Sequence, residues 1–224
     1  MVRLRAENIA FRYPHTDQWI VRDWSQEFTG GTVSALMGAS GCGKSTRMFL
    51  LALLTRPTHG AVFLDDRRID CASDGERSAI RAHRYGFIFQ DAVLDPTRTV
   101  LDNVVESCLY RGHDARSFDA YAYELLERME VSVPAYRKPG QISGGQAQRI
   151  AVCRALIGAP DVVFADEPTG NLDQQSGHAV ISMLQEQADL GACVVIVTHD
   201  QDVARHADTT VTIPPLMPGR NHGQ

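Results

Sequence analysis

The sequence predicts an α/β fold with a mainly parallel core sheet, an antiparallel subsheet near its N-terminus and an inserted helical subdomain. Short apolar runs alternate with stretches of helical periodicity, a pattern typical of parallel strands covered by helices. Residues 2–64 contain several strand candidates and one helix candidate, which favours antiparallel pairing there. Residues 91–140 offer no convincing strand and are predicted to form the helical subdomain.

The predicted strands are short apolar runs on both sides of the helical subdomain. In chain order they cover residues 2–11, 32–37, 61–64, 85–89, 161–165, 192–198 and 209–213. Helices are predicted between them. Apolar residues recur at steps of three or four on one predicted helix, at Phe118, Tyr121, Leu125 and Met129. Further helices are predicted over 46–54, 146–157 and 174–190, the last of which stops at Gly191.

Composition places the chain among globular proteins, with 44% hydrophobic and 22% charged residues. The 22 basic and 27 acidic side chains give a formal net charge of −5, which disfavours general binding of nucleic acid. The longest apolar run, residues 48–54, is far shorter than the ~20 residues that span a bilayer. The N-terminus also lacks an apolar leader segment. We therefore expect a soluble, cytoplasmic chain without direct membrane insertion.

The cysteines and histidines predict neither a disulfide framework nor a transition-metal site. The 5 cysteines are widely spaced and include no C-x-x-C pair, which fits a reducing compartment. The 8 histidines include no H-E-x-x-H motif.

A phosphate-binding loop is predicted directly after the strand at 32–37. Its pattern, G-x-x-x-x-G-K-[ST], is formed by Gly38, Ala39, Ser40, Gly41, Cys42, Gly43, Lys44 and Ser45, with Thr46 next in the chain. Glycines let successive backbone N–H groups point at phosphate oxygens, and the following helix adds its positive end. Lys44 would contact the β- and γ-phosphates, and the Ser45 hydroxyl would bind Mg²⁺. A ligand-free glycine-rich turn is the alternative, and the strand–loop–helix context disfavours it.

Two carboxylates, Asp166 and Glu167, follow the apolar strand at 161–165. Ligands of open α/β sheets bind at the ends of such strands. Asp166 would hold Mg²⁺ through water, and Glu167 would orient or deprotonate the attacking water. A helix cap with an acidic first turn would explain the pair equally well in isolation. The phosphate loop elsewhere in the chain favours the catalytic interpretation.

A second anion-binding helix start is predicted at Ser143, Gly144, Gly145 and Gln146, ahead of the helix at 146–157. A helix cap with a flexible loop is the alternative for this motif alone. With Ile142 before it, the segment is similar to the L-S-G-G-Q signature of ABC transporter ATP-binding subunits, from which Ile142 is a mild departure. The other family motifs occur in the expected order, at Gln90, Asp166 and Glu167, Asp173, and His199.

The chain therefore resembles an ABC transporter ATP-binding subunit over residues 2 to about 213. The resemblance implies a P-loop NTPase fold in a single domain over residues 1–224. Its nucleotide-binding core would comprise about 1–90 and 141–213, its helical subdomain about 91–140, and its tail 214–224. It also implies binding and hydrolysis of ATP with Mg²⁺, at two sites in a head-to-tail homodimer, or in a heterodimer with another ABC ATPase. In such a dimer, the signature of one chain closes over the nucleotide on the other.

The resemblance also implies roles for individual residues. Tyr13 would stack on adenine, with Phe11, on the same face of the strand, as a competitor. Gln90 would bridge Mg²⁺ or water and the surface that couples to the membrane. His199 would contact the γ-phosphate and hold Glu167, and Asp173 would organise the dimer interface. The implied catalytic residues are thus Glu167, His199, Gln90 and Lys44, and the metal-binding residues are Ser45, Gln90 and Asp166.

The implied partner is a separate transmembrane permease that docks around residues 91–105 and holds the subunit at the inner face of the membrane. The segment from Glu167 to Asp173 resembles the branch that serves lipoprotein release, macrolide export and cell division. One alternative is an ABC ATPase that regulates a membrane partner without transport. A soluble ABC protein acting on DNA or ribosomes is a second, disfavoured because the chain has no coiled-coil or cysteine-rich insertion and only one cassette.

Two residues of the phosphate loop region depart from the family pattern. Arg47 places a cation near the start of a helix, where the helix dipole disfavours it unless phosphate or an acid compensates. Cys42 lies within the anion-binding loop, where helix N–H groups and Lys44 should favour its thiolate. A redox-sensitive gate is one interpretation of Cys42, and a tolerated small residue is the favoured one.

Overall fold

The strands of the protein form two sheets. The computed structural model describes residues 1–216, so the predicted tail at 214–224 lies mostly outside the described residues. The N-terminal sheet is antiparallel, in the order β2-β1-β4-β5, with β1 (Arg3–Phe11), β2 (Val21–Thr29), β4 (His59–Leu64) and β5 (Arg67–Arg68). The core sheet is parallel, in the order β6-β7-β8-β3-β9, with β3 (Thr32–Met37), β6 (Tyr85–Ile88), β7 (Val162–Asp166), β8 (Cys193–Thr198) and β9 (Thr209–Thr212).

The helices lie between the strands of the core sheet and in the segment between β6 and β7. They are α1 (Lys44–Leu51), α2 (Asp74–Arg84), α3 (Val100–Tyr110), α4 (Asp119–Arg128), α5 (Gly144–Leu156), α6 (Gln174–Asp189) and α7 (Gln201–Arg205). Short 3₁₀ turns precede α4 at Ala115–Phe118 and α5 at Pro139–Gln141. No helix among residues 1–216 combines the length and the apolar character that crossing a bilayer requires.

The predicted fold class is confirmed, with a parallel core sheet, an antiparallel N-terminal sheet and a helical insert. The predicted strands agree with the observed ones within two residues at each end. Phe118 and Met129 flank α4 instead of lying within it. Gly191 follows α6 with φ 103, a left-handed conformation that glycine adopts without a steric penalty.

Four elements were missed by the sequence analysis, namely β2, β5, α2 and α7, and α3 was predicted only as part of the helical subdomain. The buried apolar residues of β2 are Val21, Trp24 and Phe28, whose spacing is helical and does not alternate. Irregular pairing of β1 with β2 explains that spacing, because two register shifts change which side chains face the core. Helix α2 is mostly polar, but Ser73 and Glu76 form a capping box at its start. The S-x-x-E spacing could have predicted it.

The core sheet is buried on both faces. Val163 and Val194 point into an apolar layer formed with α3, α4, α5 and α6. Phe164 and Val195, the next residues on the same strands, point into a second layer formed with α1 and the N-terminal sheet. Because both faces are covered, the carboxyl ends of these strands remain as the place for polar side chains.

Candidate active site

Two glycines of the loop between β3 and α1, Gly38 and Gly43, leave no room for a larger residue without rearrangement. A Cβ on Gly43 (φ 85) would lie 2.8 Å from Cγ2 of Ile20. A Cβ on Gly38 would lie 2.7 Å from both Sγ of Cys42 and the carbonyl oxygen of Ile213. The backbone of the loop is therefore packed tightly against Ile20, Cys42 and Ile213 at these two glycines.

Lys44 is held across this loop. Its Nζ donates hydrogen bonds to the carbonyl oxygens of Gly38 at 2.9 Å and Ala39 at 3.1 Å. The residue is only 8% exposed, so the loop curls around a nearly buried ammonium group. Such a loop, followed by a helix start, provides a positive, hydrogen-bond-rich concavity for an anion.

A cavity of about 310 Å³ opens beside the loop and contains most of the predicted site residues. Those that line it are Tyr13, Ser40, Gly41, Gly43, Lys44, Ser45, Thr46, Gln90, Asp166 and Glu167. Gly38 and Ala39 contribute the carbonyl groups that hold Lys44, and Cys42 is buried beneath the loop at 2% exposure. The loop, the end of β7 and Gln90, two residues after the end of β6, are thus brought together at one edge of the core sheet.

Asp166 ends β7 as a nearly buried carboxylate. Burial raises its pKa, and the neighbouring Glu167 raises it further, whereas a hydrogen bond from the Ser45 hydroxyl and the charge of Lys44 lower it. Because burial and Glu167 disfavour the charged form of this carboxylate, a cation bound beside it would stabilise that form. Gln90 also lines the cavity, and its side-chain amide offers an oxygen suited to a metal ion.

These residues fit Mg²⁺ bound together with phosphate. Mg²⁺ prefers oxygen ligands and is commonly held by one or two carboxylates together with substrate phosphates. Residues 1–216 contain no group of three or more His, Cys, Asp and Glu side chains that would hold a metal ion by themselves. A single buried carboxylate, a hydroxyl and an amide match the shared form of binding.

Glu167 turns away from β7 with a left-handed φ of 46 and is held by the end of β8. The Thr198 hydroxyl donates to Oε2 of Glu167 at 3.0 Å, and the backbone N–H of His199 donates to Oε1 at 3.1 Å. The imidazole of His199 also contacts Oε1. The predicted pairing of His199 with Glu167 is therefore present in the structure.

Tyr13 lies beyond the end of β1, and its side chain lines the cavity at 47% exposure. Phe11, which the sequence analysis left as a competitor, is the last residue of β1 and is 5% exposed in the apolar core. The two rings pack edge to face with centroids 4.9 Å apart. The expectation that they share one strand face is wrong, because the strand ends between them.

The signature residues lie on another surface of the chain. Ser143 caps α5, since its Oγ accepts a hydrogen bond from the backbone N–H of Gln146 at 3.2 Å, and Oε1 of Gln146 accepts one from the N–H of Ser143 at 2.9 Å. Neither they nor Gly144 and Gly145 line the cavity at Lys44. One chain thus presents its two predicted phosphate-binding helix starts separately.

Asp173 is exposed and caps α6, accepting hydrogen bonds from the N–H of Ser176 at 2.9 Å and from its hydroxyl at 3.0 Å. These bonds lower the pKa of Asp173. It does not line the cavity at Lys44 either. Its visible role within this chain is that of a helix cap.

Gln148 is a site residue that the sequence analysis missed. Its side chain is 1% exposed, and Nε2 donates to the carbonyl oxygen of Phe89 at 3.0 Å and lies 3.5 Å from that of Pro168. It therefore connects α5 to the segments that precede Gln90 and follow Glu167. One signal for Gln148 was present in the sequence, namely a second glutamine two residues after Gln146.

Known proteins resemble this chain in sequence. The sequence model of the ABC transporter family matches residues 21–170. The chain is 41% identical over 187 residues to the lipoprotein-releasing system ATP-binding protein LolD of Myxococcus xanthus, covering 83% of this chain and 84% of that protein. It is 40% identical over 215 residues to the macrolide export ATP-binding/permease protein MacB 1/2 of Paracoccus denitrificans, covering 95% of this chain but 32% of that protein.

Solved structures share the fold. A dimeric bacterial ABC transporter cassette superimposes with a TM-score of 0.87 at 31% identity, covering 94% of each chain. A dimeric ATP-binding cassette in a post-hydrolysis state, bound to ADP and Pi, gives a TM-score of 0.86 at 29% identity, covering 99% of this chain and 100% of that one.

Proposed function

Because this chain belongs to the ABC transporter family, we propose that it is the subunit that binds and hydrolyses ATP and drives a separate transmembrane permease. One observation carries the proposal, namely that Lys44 of the phosphate loop and the anchored carboxylate of Glu167 line the same cavity. Binding of phosphate and activation of water are the two tasks that ATP hydrolysis requires. The names of the relatives support export or extraction of a substrate as the work performed.

The residues at the cavity divide these tasks among them. Lys44 and the backbone N–H groups of the loop at 38–46 bind the phosphates, and the Tyr13 ring stacks on the base. Mg²⁺, held by Ser45, Asp166 and Gln90, would supply positive charge to the phosphate oxygens. Glu167 accepts the proton of the attacking water, and His199 fixes the orientation of its carboxylate.

We further propose that Ser143, Gly144, Gly145 and Gln146 complete the site of a second chain, with Asp173 near the shared interface. The separation of the signature from the cavity within one chain supports this arrangement. The dimeric state of the solved cassettes with this fold supports it as well. A homodimer would then contain two shared sites.

The permease would dock around residues 91–105, beside an apolar groove of about 660 Å³ between α2, β6 and α3, and would hold the subunit at the inner face of the membrane. Phe87, Phe89, Val93 and Tyr110 line this groove. Val93 is 64% exposed and has a φ of 45, which is strained for a β-branched residue. Arg154 holds this conformation, since its guanidinium donates to the carbonyl oxygens of Ala92 and Val93, each at 2.8 Å.

Light scattering on Glu167→Gln tests the proposal directly. The amide cannot accept a proton, so ATP with Mg²⁺ should accumulate in the site and convert monomer to dimer, whereas ADP should not. The double variant Glu167→Gln with Lys44→Ala is the matched control and should stay monomeric. A Glu167→Gln chain that fails to bind ATP would contradict the proposed function. One that binds ATP and stays monomeric would contradict only the homodimer.

A further inference from the structure

Arg47 is a buried cation directly behind the phosphate loop. It lies on α1 and is 6% exposed. Its Nη1 donates hydrogen bonds to the carbonyl oxygens of Cys42 at 3.0 Å and Gly43 at 3.1 Å. The guanidinium also lies 5.6 Å from the ring centroid of Trp24 on β2. It is therefore enclosed between the loop and the N-terminal sheet.

No carboxylate within residues 1–216 forms an ion pair with this guanidinium, and its Nε is buried without a hydrogen-bond partner. Carbonyl dipoles and an aromatic face attract the cation, but neither carries a net negative charge. Burial accordingly lowers the pKa of Arg47. An uncompensated charge in such a position disfavours the folded state.

Three other arginines, the buried Arg77 and the partly buried Arg154 and Arg111, have different surroundings. Arg77 pairs with Asp74 at 3.3 Å, and Arg154 lies 4.0 Å from Glu106. Arg111 resembles Arg47 in donating to backbone carbonyls, those of Ala82 and Gly158, and it lies away from the phosphate loop. Arg111 is thus a control for the loss of a partly buried guanidinium that donates to backbone carbonyls.

We propose that Arg47 is a positioning residue for phosphate, and that the phosphates of bound ATP supply the negative charge that balances it. This inference rests on the proposed function, since it requires that the loop binds nucleotide. Hydrogen bonds to the carbonyls of Cys42 and Gly43 polarise those two peptide groups. The N–H groups of the same peptides belong to Gly43 and Lys44, so they become stronger donors toward an anion.

Arg47 should therefore act oppositely on the free and the bound protein. Its charge destabilises the free chain and strengthens nucleotide binding, because only the bound state contains the compensating anion. Arg47→Met removes the charge and keeps a long side chain beside Trp24. Arg47→Lys keeps the positive charge but loses the planar guanidinium group and its paired N–H donors.

Calorimetric titration with ATP and Mg²⁺, together with thermal melting without nucleotide, tests the proposal on purified chains. For Arg47→Met we expect the dissociation constant to rise about tenfold, the size of one charge-assisted interaction. We expect its nucleotide-free melting temperature to stay the same or rise. Arg47→Lys should bind ATP within about threefold of the wild type. Arg111→Met should bind ATP as the wild type does and, like Arg47→Met, keep or raise its nucleotide-free melting temperature.

Wild-type affinity in Arg47→Met together with a lower melting temperature would make Arg47 purely structural and overturn the proposal. Equal losses of affinity in Arg47→Lys and Arg47→Met would also overturn it, because shape and not charge would then matter. A wild-type chain that fails to bind ATP would instead refute the proposed function. Failure of this inference and failure of the proposed function would therefore give different results.

Discussion

Nδ1 of His199 lies 2.6 Å from Oε1 of Glu167, the oxygen that also accepts the backbone N–H of His199. His199 thus contacts Oε1 through both its backbone N–H and its ring, while the Thr198 hydroxyl donates to Oε2. Glu167 follows β7, but its carboxylate is oriented by the end of β8. The proposed base is therefore fixed by the neighbouring strand, and its orientation depends on the pairing of β7 with β8.

Replacement of His199 by alanine should slow hydrolysis about 100-fold, because the carboxylate loses its imidazole partner and part of its orientation. ATP affinity should stay within about threefold, since the phosphate loop is untouched. A phosphate-release assay and calorimetry measure the two effects. His206→Ala is the control, because the Nδ1 of this exposed histidine contacts the carbonyl of Asp202 and not Glu167. Wild-type turnover in His199→Ala would contradict the assigned role.

Lys44→Ala should weaken ATP binding about 100-fold or more, because it removes the buried ammonium group from the phosphate loop. Titration calorimetry measures the affinity directly. Lys138→Ala removes an exposed lysine of the 3₁₀ turn before α5 and should leave the affinity unchanged. Undiminished binding by Lys44→Ala would exclude the cavity at this loop as the nucleotide site.

Gly86→Ala should lower the free energy of unfolding by about 1–3 kcal/mol through overpacking. A Cβ at this position would lie 2.5 Å from the carbonyl oxygen of Ala155 and 2.9 Å from Cγ of Pro160. Gly75→Ala is the matched control, since a Cβ there meets nothing within 4 Å in the first turn of α2. It should stabilise the protein by about 0.5–1 kcal/mol. Urea unfolding of both variants measures the difference, and equal stabilities would refute the tight contact.

One thiol should react rapidly with a maleimide in the native protein, and all 5 should react in urea. Cys71 is exposed, whereas Cys42, Cys108, Cys153 and Cys193 are buried. Burial raises the pKa of Cys153 and Cys193 to about 12, so the reactive thiolate is nearly absent from both at pH 8. Mass spectrometry identifies the labelled residue. Rapid labelling of Cys42 would revive the redox-gate interpretation, which its burial disfavours.

Charge reversal of exposed Asp91 to lysine should uncouple the proposed permease and leave basal ATP hydrolysis within about twofold. Asp91 follows Gln90 and adjoins the apolar groove, so a new charge there would oppose docking without entering the cavity. Co-purification with the permease and hydrolysis by the isolated subunit are the two measurements. Glu124→Lys, on the exposed face of α4, should affect neither. Loss of hydrolysis in isolated Asp91→Lys would contradict the separation of docking from catalysis.

The sequence predicted the core strands and most of the cavity because each depends on local pattern. Strand β7 is a continuous apolar run, and the residues of the phosphate loop form one uninterrupted sequence motif. Strand β2 was missed because its irregular pairing with β1 leaves Val21, Trp24 and Phe28 buried at a spacing that does not alternate. The surroundings of Arg47 could not be inferred for the same reason, since Trp24 belongs to that strand.

Gln148 was missed because its hydrogen-bond partners are distant from it in the sequence. Phe89 and Pro168 are far from it in the chain, and only the assembled fold brings their carbonyl groups to one side chain. Likewise, the capping roles of Ser143 and Asp173 are local and follow from sequence. That Ser143 and Asp173 do not line the cavity at Lys44 depends on the placement of whole helices in the fold.

The close approach of Gly86 on β6 to the carbonyl oxygen of Ala155 holds the C-terminal end of α5 against the core sheet. The chain leaves the core sheet at Ile88 and returns at Val162 on the adjacent strand, so rotation of the intervening helices breaks no strand pair. Ser143 lies 12 residues from Ala155, or about 18 Å along the helix at 1.5 Å per residue. A rotation of α5 by about 10° about that end would therefore carry Ser143 through about 3 Å, which is enough to make or break a hydrogen bond.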